Sequence, residues 1–450
     1  MVSSKTLSFL VLFSFIFLNL SILLYLQVDP LKYHSDVDSS AYLGKSELLY
    51  KSGTFAPTPA FENMPYFVLG YPMFMAIIYK ITSDSIDFLI WAQILLVLLS
   101  AFLIFLTSRR LFNEAVGIIA FALTCINLGF LVFAQFVLTE TLLSFLFIAF
   151  IERFSLYLTE KNTSALYWSG LILGLSVCVK PAALYYPLLL LPLLYILNKN
   201  NPQKTKFLTN FSIMFAIPIF FYMVHNKAAF NEFKISKLES QNIYFWFYPN
   251  VLAFVHGTTS NAERAKLQMI AGADYERIDV VKNMFWADLK AYPIGLFPYI
   301  WGKNVIKTFL GLYTSNLKVL VDPNVHGGDI SFFNMQGTFL QKAWLYIQSG
   351  ASYQWVKIVG LLEAIWSLLR YFLCLIALLW LFYKKRFDLL GLFLSFIFYF
   401  SIVTGHDGCA RFRMMFEFIL IILAALGLWL IIKRGKHNIL DQEINYENQD

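Results

Sequence analysis

Ten apolar runs dominate the chain, near 7–27, 87–107, 115–136, 141–158, 165–180, 183–197, 207–225, 361–383, 388–404 and 414–432. A helix needs about twenty apolar residues to cross the hydrocarbon core of a bilayer. Inside hydrocarbon every backbone N–H and C=O must be satisfied within the protein, so such runs fold as helices. Only 14% of the 450 residues are charged and 58% are apolar, whereas roughly a quarter are charged in soluble domains. The pattern predicts an all-α polytopic membrane protein with about ten transmembrane helices, and it excludes an ordinary soluble domain.

The basic residues orient those runs. With the N-terminus inside, the inner turns hold Arg109 and Arg110, then Lys161, then Lys199, Lys204 and Lys206, then Lys384, Lys385 and Arg386. Lys433, Arg434 and Lys436 follow in the tail. Basic inner loops are what the positive-inside rule requires, so both termini are expected in the cytoplasm. The net charge of +7 thus reflects topology, and no nucleic acid is expected as a partner. The run from Leu7 to Leu26 lacks a following small-residue cleavage site and reads as a retained helix.

Two stretches then face outward, giving three units: an N-terminal transmembrane module 1–225 with a first outer loop 28–86, a large outer loop 226–360, and C-terminal helices with a tail 361–450. GYPMFMAIIYKI in the first loop is too short to span and reads as an interfacial helix. In the large loop, SNAERAKLQMIAG has a capping-box start at Ser260 and Glu263 and a glycine stop at Gly272. DYERIDVVKNMFWADLKAYP is a second helix ending before Pro293, and FPYIWGKNVIKTFLGLY mixes aromatics with lysines as a membrane-surface helix does. The four cysteines, at 125, 178, 374 and 409, form neither a CxxC nor a metal-ligand spacing.

Charges within or at the ends of spans are costly and are functional candidates by default. Asp36, Asp38, Glu140, Lys180, Arg411 and Arg413 all fall at the outer face on this topology. Each has an ordinary alternative: a helix cap for the acids, a snorkelling lysine for Lys180, interfacial anchors for the arginines, and a plain loop histidine for His406. Glu417, inside the last run, has Arg413 four residues earlier on the same helical face as a partner. Together the outer-face groups fit one chemistry. A carboxylate can take a proton from an acceptor hydroxyl, while Lys and Arg donors stabilise a departing phosphate.

The segments DVDSSAYLGKSELLYKSGTF, PYFVLGYPMFMAIIY, VLTETLLSFL, GLILGLSVCVKPAALYYPLLLLP and ARFRMMFEFILIILAALGL resemble the GT-C class of membrane glycosyltransferases. More narrowly, they are similar to the bacterial relatives of the protein O-mannosyltransferases and to the lipid A aminoarabinose transferase. The similarity runs from about residue 30 to 195 and again over 400–430. It implies a GT-C-like fold and inverting transfer of a sugar, hexosyl or pentosyl, from a polyprenyl-phosphate donor to a lipid, glycan or protein acceptor. That transfer would occur on the periplasmic side of a bacterial inner membrane, with membrane lipids and the polyprenyl-phosphate-linked sugar as partners. Asp38 and Tyr42 fit the family's D-x-x-x-Y pattern, so Asp38 inherits the base role, supported by Asp36 and Glu140. Lys180, Arg411, Arg413 and His406 are assigned to the donor phosphate, and Tyr42 and Tyr71 to the donor or acceptor pocket. Met415 and Phe418 stand where the family often has prolines, and Met64 precedes Pro65 where the aminoarabinose enzyme has a basic residue.

No cofactor is required by this assignment. His34, Asp36 and Asp38 alternate, so an extended segment would turn all three to one side and could hold a divalent cation, Mg or Mn. A different class, a transporter or flippase of lipid-linked saccharides, would carry its charges near the bilayer midplane on interrupted helices. The third class is a non-catalytic scaffold.

Overall fold

The computed structural model of the protein describes residues 13–21, 37–53, 68–82, 85–236, 238–272, 277–322, 337–348 and 353–447. Every regular element among them is helical. Four helices are long and apolar enough to cross a membrane: Ile86–Leu111, Glu140–Glu160, Lys204–Ala229 and Gln354–Tyr383. Glu114–Cys125, Thr163–Val179, Pro181–Leu197 and Phe387–Val403 are shorter apolar helices, and Glu417–Glu447 opens with a buried apolar stretch. The chain is an all-α membrane protein. The N-terminal run is described only over 13–21, which is helical.

The run 115–136 is not one continuous helix. Glu114–Cys125 stops at Ile126, and Asn127 caps a new short helix, Leu128–Phe133, by accepting from Phe130 N at 3.3 Å. Residues from Ala134 to Thr139 then run irregularly through the buried interior. Irregular backbone at this depth must find partners within the protein. Gln93 supplies two, its amide donating to Ala134 O at 3.1 Å and Phe136 O at 2.9 Å.

Asparagine and lysine make the tight turns at the opposite end. Asn113 and Asn162 cap the helices that follow them, each accepting a backbone N–H at 3.0 Å. Lys161 and Lys385 adopt left-handed backbone conformations, φ 55 and 56. Arg110 ties two of these turns together, reaching Glu152 at 3.1 Å and Glu160 at 3.6 Å. The helix Glu140–Glu160 has 21 residues, so it spans roughly 30 Å at 1.5 Å per residue. Glu140 therefore lies one membrane thickness away from the basic turns. Helix Thr163–Val179 returns antiparallel and brings Lys180 to the Glu140 end, packed so closely on Lys204–Ala229 that a Cβ on Gly174 would sit 2.3 Å from Phe215 O.

Helix Gly70–Thr82 matches the expected interfacial segment, with Tyr71, Met75 and Tyr79 buried and Met73, Ile77 and Ile81 exposed. A second, separate core is built from Tyr244, Phe245, Tyr248, Leu267, Val281, Phe285, Phe297 and Ile300, all in the large loop. Its helices Ser260–Ala271, Ile278–Ala291 and Leu296–Leu310 agree with the sequence expectation, with one correction. The cap of the first is Thr259, which accepts from Ala262 N at 3.2 Å. Ser260 Oγ turns away to donate to Asn250 Oδ1 at 2.6 Å.

Candidate active site

Lys180 is followed by proline, which has no N–H to continue a helix. It accordingly closes helix Thr163–Val179 in an extended conformation, leaving its side chain free to reach across. Glu140 opens its own helix in the first turn, where a carboxylate is favoured by the helix dipole. Arg411 belongs to a single turn, Ala410–Arg413, and Asp38 to the first turn of Val37–Ser52. These four ends meet.

Arg411 joins them. Its Nη1 donates to Asp38 Oδ2 at 2.9 Å and its Nε to Glu140 Oε1 at 2.7 Å. Lys180 Nζ donates to the same Glu140 Oε1 at 3.0 Å, and lies 5.3 Å from the Phe412 ring centroid. Exposure rises outward through the set: the Glu140 side chain is 1% exposed, Arg411 15%, Lys180 20% and Asp38 35%. Two carboxylates face two cations, and Glu140 is the buried end of the cluster while Asp38 is its most exposed member.

Tyr42 lies one turn beyond Asp38 and packs edge-on against Tyr71, ring centroids 5.3 Å apart. Burial pushes the Tyr42 phenol up, and the Asp38 charge adds to that, so Tyr42 stays a neutral hydroxyl. Tyr71 donates to Gln93 Oε1 at 2.8 Å, the same glutamine that holds the irregular segment leading to Glu140. His406 is buried, and desolvation pulls its imidazole below the usual histidine range. Its ring lies 5.2 Å from that of Phe412.

Arg413 does not join the cluster. Its side chain is 1% exposed and pairs with Glu417 Oε2 at 2.9 Å, as the spacing of four predicts, and it donates to Gly311 O at 2.7 Å and Phe309 O at 2.9 Å. Glu417 also takes Arg370, Asn127 at 2.8 Å and Tyr313 at 3.1 Å. Glu363 accepts from the backbone N–H groups of Tyr313 at 2.7 Å and Thr314 at 2.8 Å, and lies 3.9 Å from Arg413. Arg370 and Glu363, absent from the sequence-based candidates, both interrupt the 361–383 apolar run.

His34 and Asp36 lie outside the described residues. Among the described residues no group of three or more His, Cys, Asp or Glu side chains is placed to hold a metal ion. Asp38 and Glu140 spend their charge on Arg411 and Lys180, so by themselves they do not offer a divalent cation a ligand set.

Residues 68–226 match the family model described as dolichyl-phosphate-mannose-protein mannosyltransferase. The matched stretch contains Glu140 and Lys180, with Asp38 and Arg411 on either side of it. Among curated proteins none matches the sequence. Solved structures similar in fold include the oligosaccharyltransferase AglB from Archaeoglobus fulgidus in complex with an inhibitory peptide and a dolichol-phosphate, at 16% identity and a TM-score of 0.47 over 94% of this chain and 52% of that one. They also include the apo oligosaccharyltransferase of the same organism, at 16% identity and a TM-score of 0.49 over 95% and 52%. A third is ArnT from Cupriavidus metallidurans bound to undecaprenyl phosphate, at 11% identity and a TM-score of 0.42 over 92% and 76%. The chain spans about half the length of the oligosaccharyltransferase chains it matches.

Proposed function

We propose that the protein is an inverting glycosyltransferase that moves a hexosyl or pentosyl group from a polyprenyl phosphate, of the undecaprenyl-phosphate type, to a lipid, glycan or protein acceptor. The convergence of Arg411 and Lys180 on Glu140, beside the more exposed Asp38, carries this reading. A mannosyltransferase family match over residues 68–226 agrees with it. The module 1–225 and the helices of 361–450 bear the site, and the loop 226–360 selects the acceptor. With basic turns inside, the site opens to the periplasm or cell exterior, and the protein resides in a bacterial inner membrane with both termini cytoplasmic.

The acceptor hydroxyl oxygen attacks the anomeric carbon from the face opposite the phosphate. The bond from that carbon to the phosphate oxygen breaks, and Asp38 takes the hydroxyl proton. Arg411 and Lys180 bind the lipid phosphate that leaves. Before the donor arrives, Asp38 and Glu140 neutralise the two cations, and a phosphate adds negative charge to a balanced set. Arg411 Nη1 therefore exchanges Asp38 for a phosphate oxygen, which frees the Asp38 carboxylate to act as base. Glu140, buried beneath, keeps both cations aimed outward. Asp36 and His34 are the residues that would complete a metal site with Asp38, if a divalent ion such as Mg or Mn serves as an additional charge carrier.

Transfer is tested by supplying membranes with radiolabelled polyprenyl-phosphate sugars and following loss of label from the lipid. Asp38→Asn and Lys180→Ala should each abolish most of it. Full transfer by both variants would overturn the assignment. A flippase would move lipid-linked sugar across vesicles without breaking the sugar–phosphate bond, an outcome the same assay separates.

A further inference from the structure

Arg411 sits in a stretch, 404–416, whose only helix is the turn Ala410–Arg413. Its path is set from outside, by helix Leu296–Leu310 of the large loop. The Trp301 indole N–H donates to Ile402 O at 2.8 Å. The Asn304 amide donates to His406 O at 3.2 Å, and Asn304 is 1% exposed. Gly408 has φ +73, and a Cβ there would lie 2.1 Å from Asn304 O, so the loop rests directly on the helix backbone where only glycine fits. Beyond Arg411, Arg413 takes the carbonyls at the carboxyl end of the same helix, where partial negative charge collects. The helix is itself anchored: Phe297 and Ile300 belong to the core of the large loop, and Trp301 packs edge-on against Phe247 at 4.8 Å. One rigid element thus connects the large loop to both flanks of Arg411.

We infer that Trp301 and Asn304 are positioning residues for donor recognition, holding the Arg411 fork in the site through the 402–408 loop. The inference rests on Arg411 being a ligand of the donor phosphate. A guanidinium gains its advantage from two parallel bonds in fixed geometry, so a loosened loop weakens phosphate binding before it affects anything else. Lys180 closes a different helix, Thr163–Val179, and meets the Arg411 turn at Glu140 Oε1 and at the Phe412 ring. The acceptor-selecting loop thereby also sets donor affinity, and the two halves of the reaction share one support.

The test uses the full chain in nanodiscs with Trp301→Phe, which keeps the ring packing and loses the N–H, and Asn304→Leu, which keeps volume and loses the amide. KM for the polyprenyl-phosphate sugar and the Kd for undecaprenyl phosphate should rise about tenfold in each, the weight of one hydrogen bond to a charged group. KM for the acceptor should stay within roughly twofold. A second readout needs no substrate. Cys409, two residues from Arg411, is half-buried, with its thiol pushed up to about 12 by burial, and its alkylation followed by mass spectrometry should be faster in both variants. Donor KM and Cys409 alkylation both at wild-type values would overturn the clamp, as would a fall in kcat and melting temperature with donor KM unchanged. Wild-type protein that binds no undecaprenyl phosphate would instead overturn the functional reading and with it the donor role of the clamp, while Cys409 alkylation still reports whether the clamp holds the loop.

Discussion

Arg411 Nη1 holds Asp38 Oδ2 at 2.9 Å across a separation of 373 residues, joining helix Val37–Ser52 to the turn Ala410–Arg413. The pair is partly open to solvent, with Asp38 35% and Arg411 15% exposed, so its own contribution to stability is modest, on the order of 1 kcal/mol. On the proposed mechanism its importance lies in what it withholds, because a carboxylate bound to a guanidinium is a poor base. Asp38→Asn should lower kcat by about 10²–10⁴-fold, the usual weight of a general base, and leave undecaprenyl phosphate binding equal or stronger because a competitor of the phosphate is gone. Single-turnover transfer and equilibrium lipid binding measured on the same preparation check both halves.

Glu140 separates stability from affinity. It is 1% exposed and neutralises both Lys180 and Arg411. Removing one partner of a buried ion pair costs about 3–5 kcal/mol, and the partial exposure of the cations places Glu140→Gln at the low end. The two unmatched cations should then attract phosphate more strongly than in the wild type. The variant is expected to melt earlier in differential scanning fluorimetry and to recover more on adding undecaprenyl phosphate, since ligand stabilisation grows as RT ln(1 + [L]/Kd). Equal recovery in both proteins would refute the electrostatic role given to Glu140.

The four side chains of the cluster were accessible from sequence because a charge at the edge of an apolar run has few cheap explanations. Arg413 and Arg411, two apart in ARFR, share the expected outer-face position and the family's basic motif. On a helical turn two residues differ by about 200°, so one arginine faces the cluster and the other the bundle interior. Arg370 and Glu363, seven apart on one helical face, carried the same intramembrane signal and needed no further information to be found. The break at Asn127 is written only in one capping residue, which hydropathy does not register. Trp301 and Asn304 lie in the stretch read as a membrane-surface helix, where a tryptophan and an asparagine are ordinary until the 402–408 loop is seen lying on them.

The Arg370–Glu417–Arg413–Glu363 network holds two charges of each sign in the interior. Arg370→Met leaves the carboxylates in excess and should destabilise the protein by about 3–5 kcal/mol. Adding Glu363→Gln restores the balance of charge. The double variant should therefore be more stable than the sum of the two single effects by about 0.5–3 kcal/mol, the range for coupled neighbours. Thermal unfolding of the three variants in the same detergent closes this cycle, and strict additivity would show that the charges do not communicate.

The large loop contains its own acid-sensitive contact. Glu263 accepts from Lys266 at 2.9 Å and Thr258 at 2.7 Å, with His256 at 3.4 Å, and these hydrogen bonds, Lys266 first, hold its carboxyl near 2 against a usual 4.5. Because the folded value is depressed, the stabilisation is fully present above pH 4.5. It is lost as the pH falls from there toward 2, where the folded carboxylate itself takes a proton. Glu263→Gln cannot titrate, so its loop should lose less stability than the wild type over that window while being less stable at pH 7. Amide hydrogen exchange of the helix Ser260–Ala271, followed between pH 5 and pH 3 with correction for intrinsic exchange rates, reads the local opening directly. A variant whose protection falls in parallel with the wild type would show that the acid response originates elsewhere.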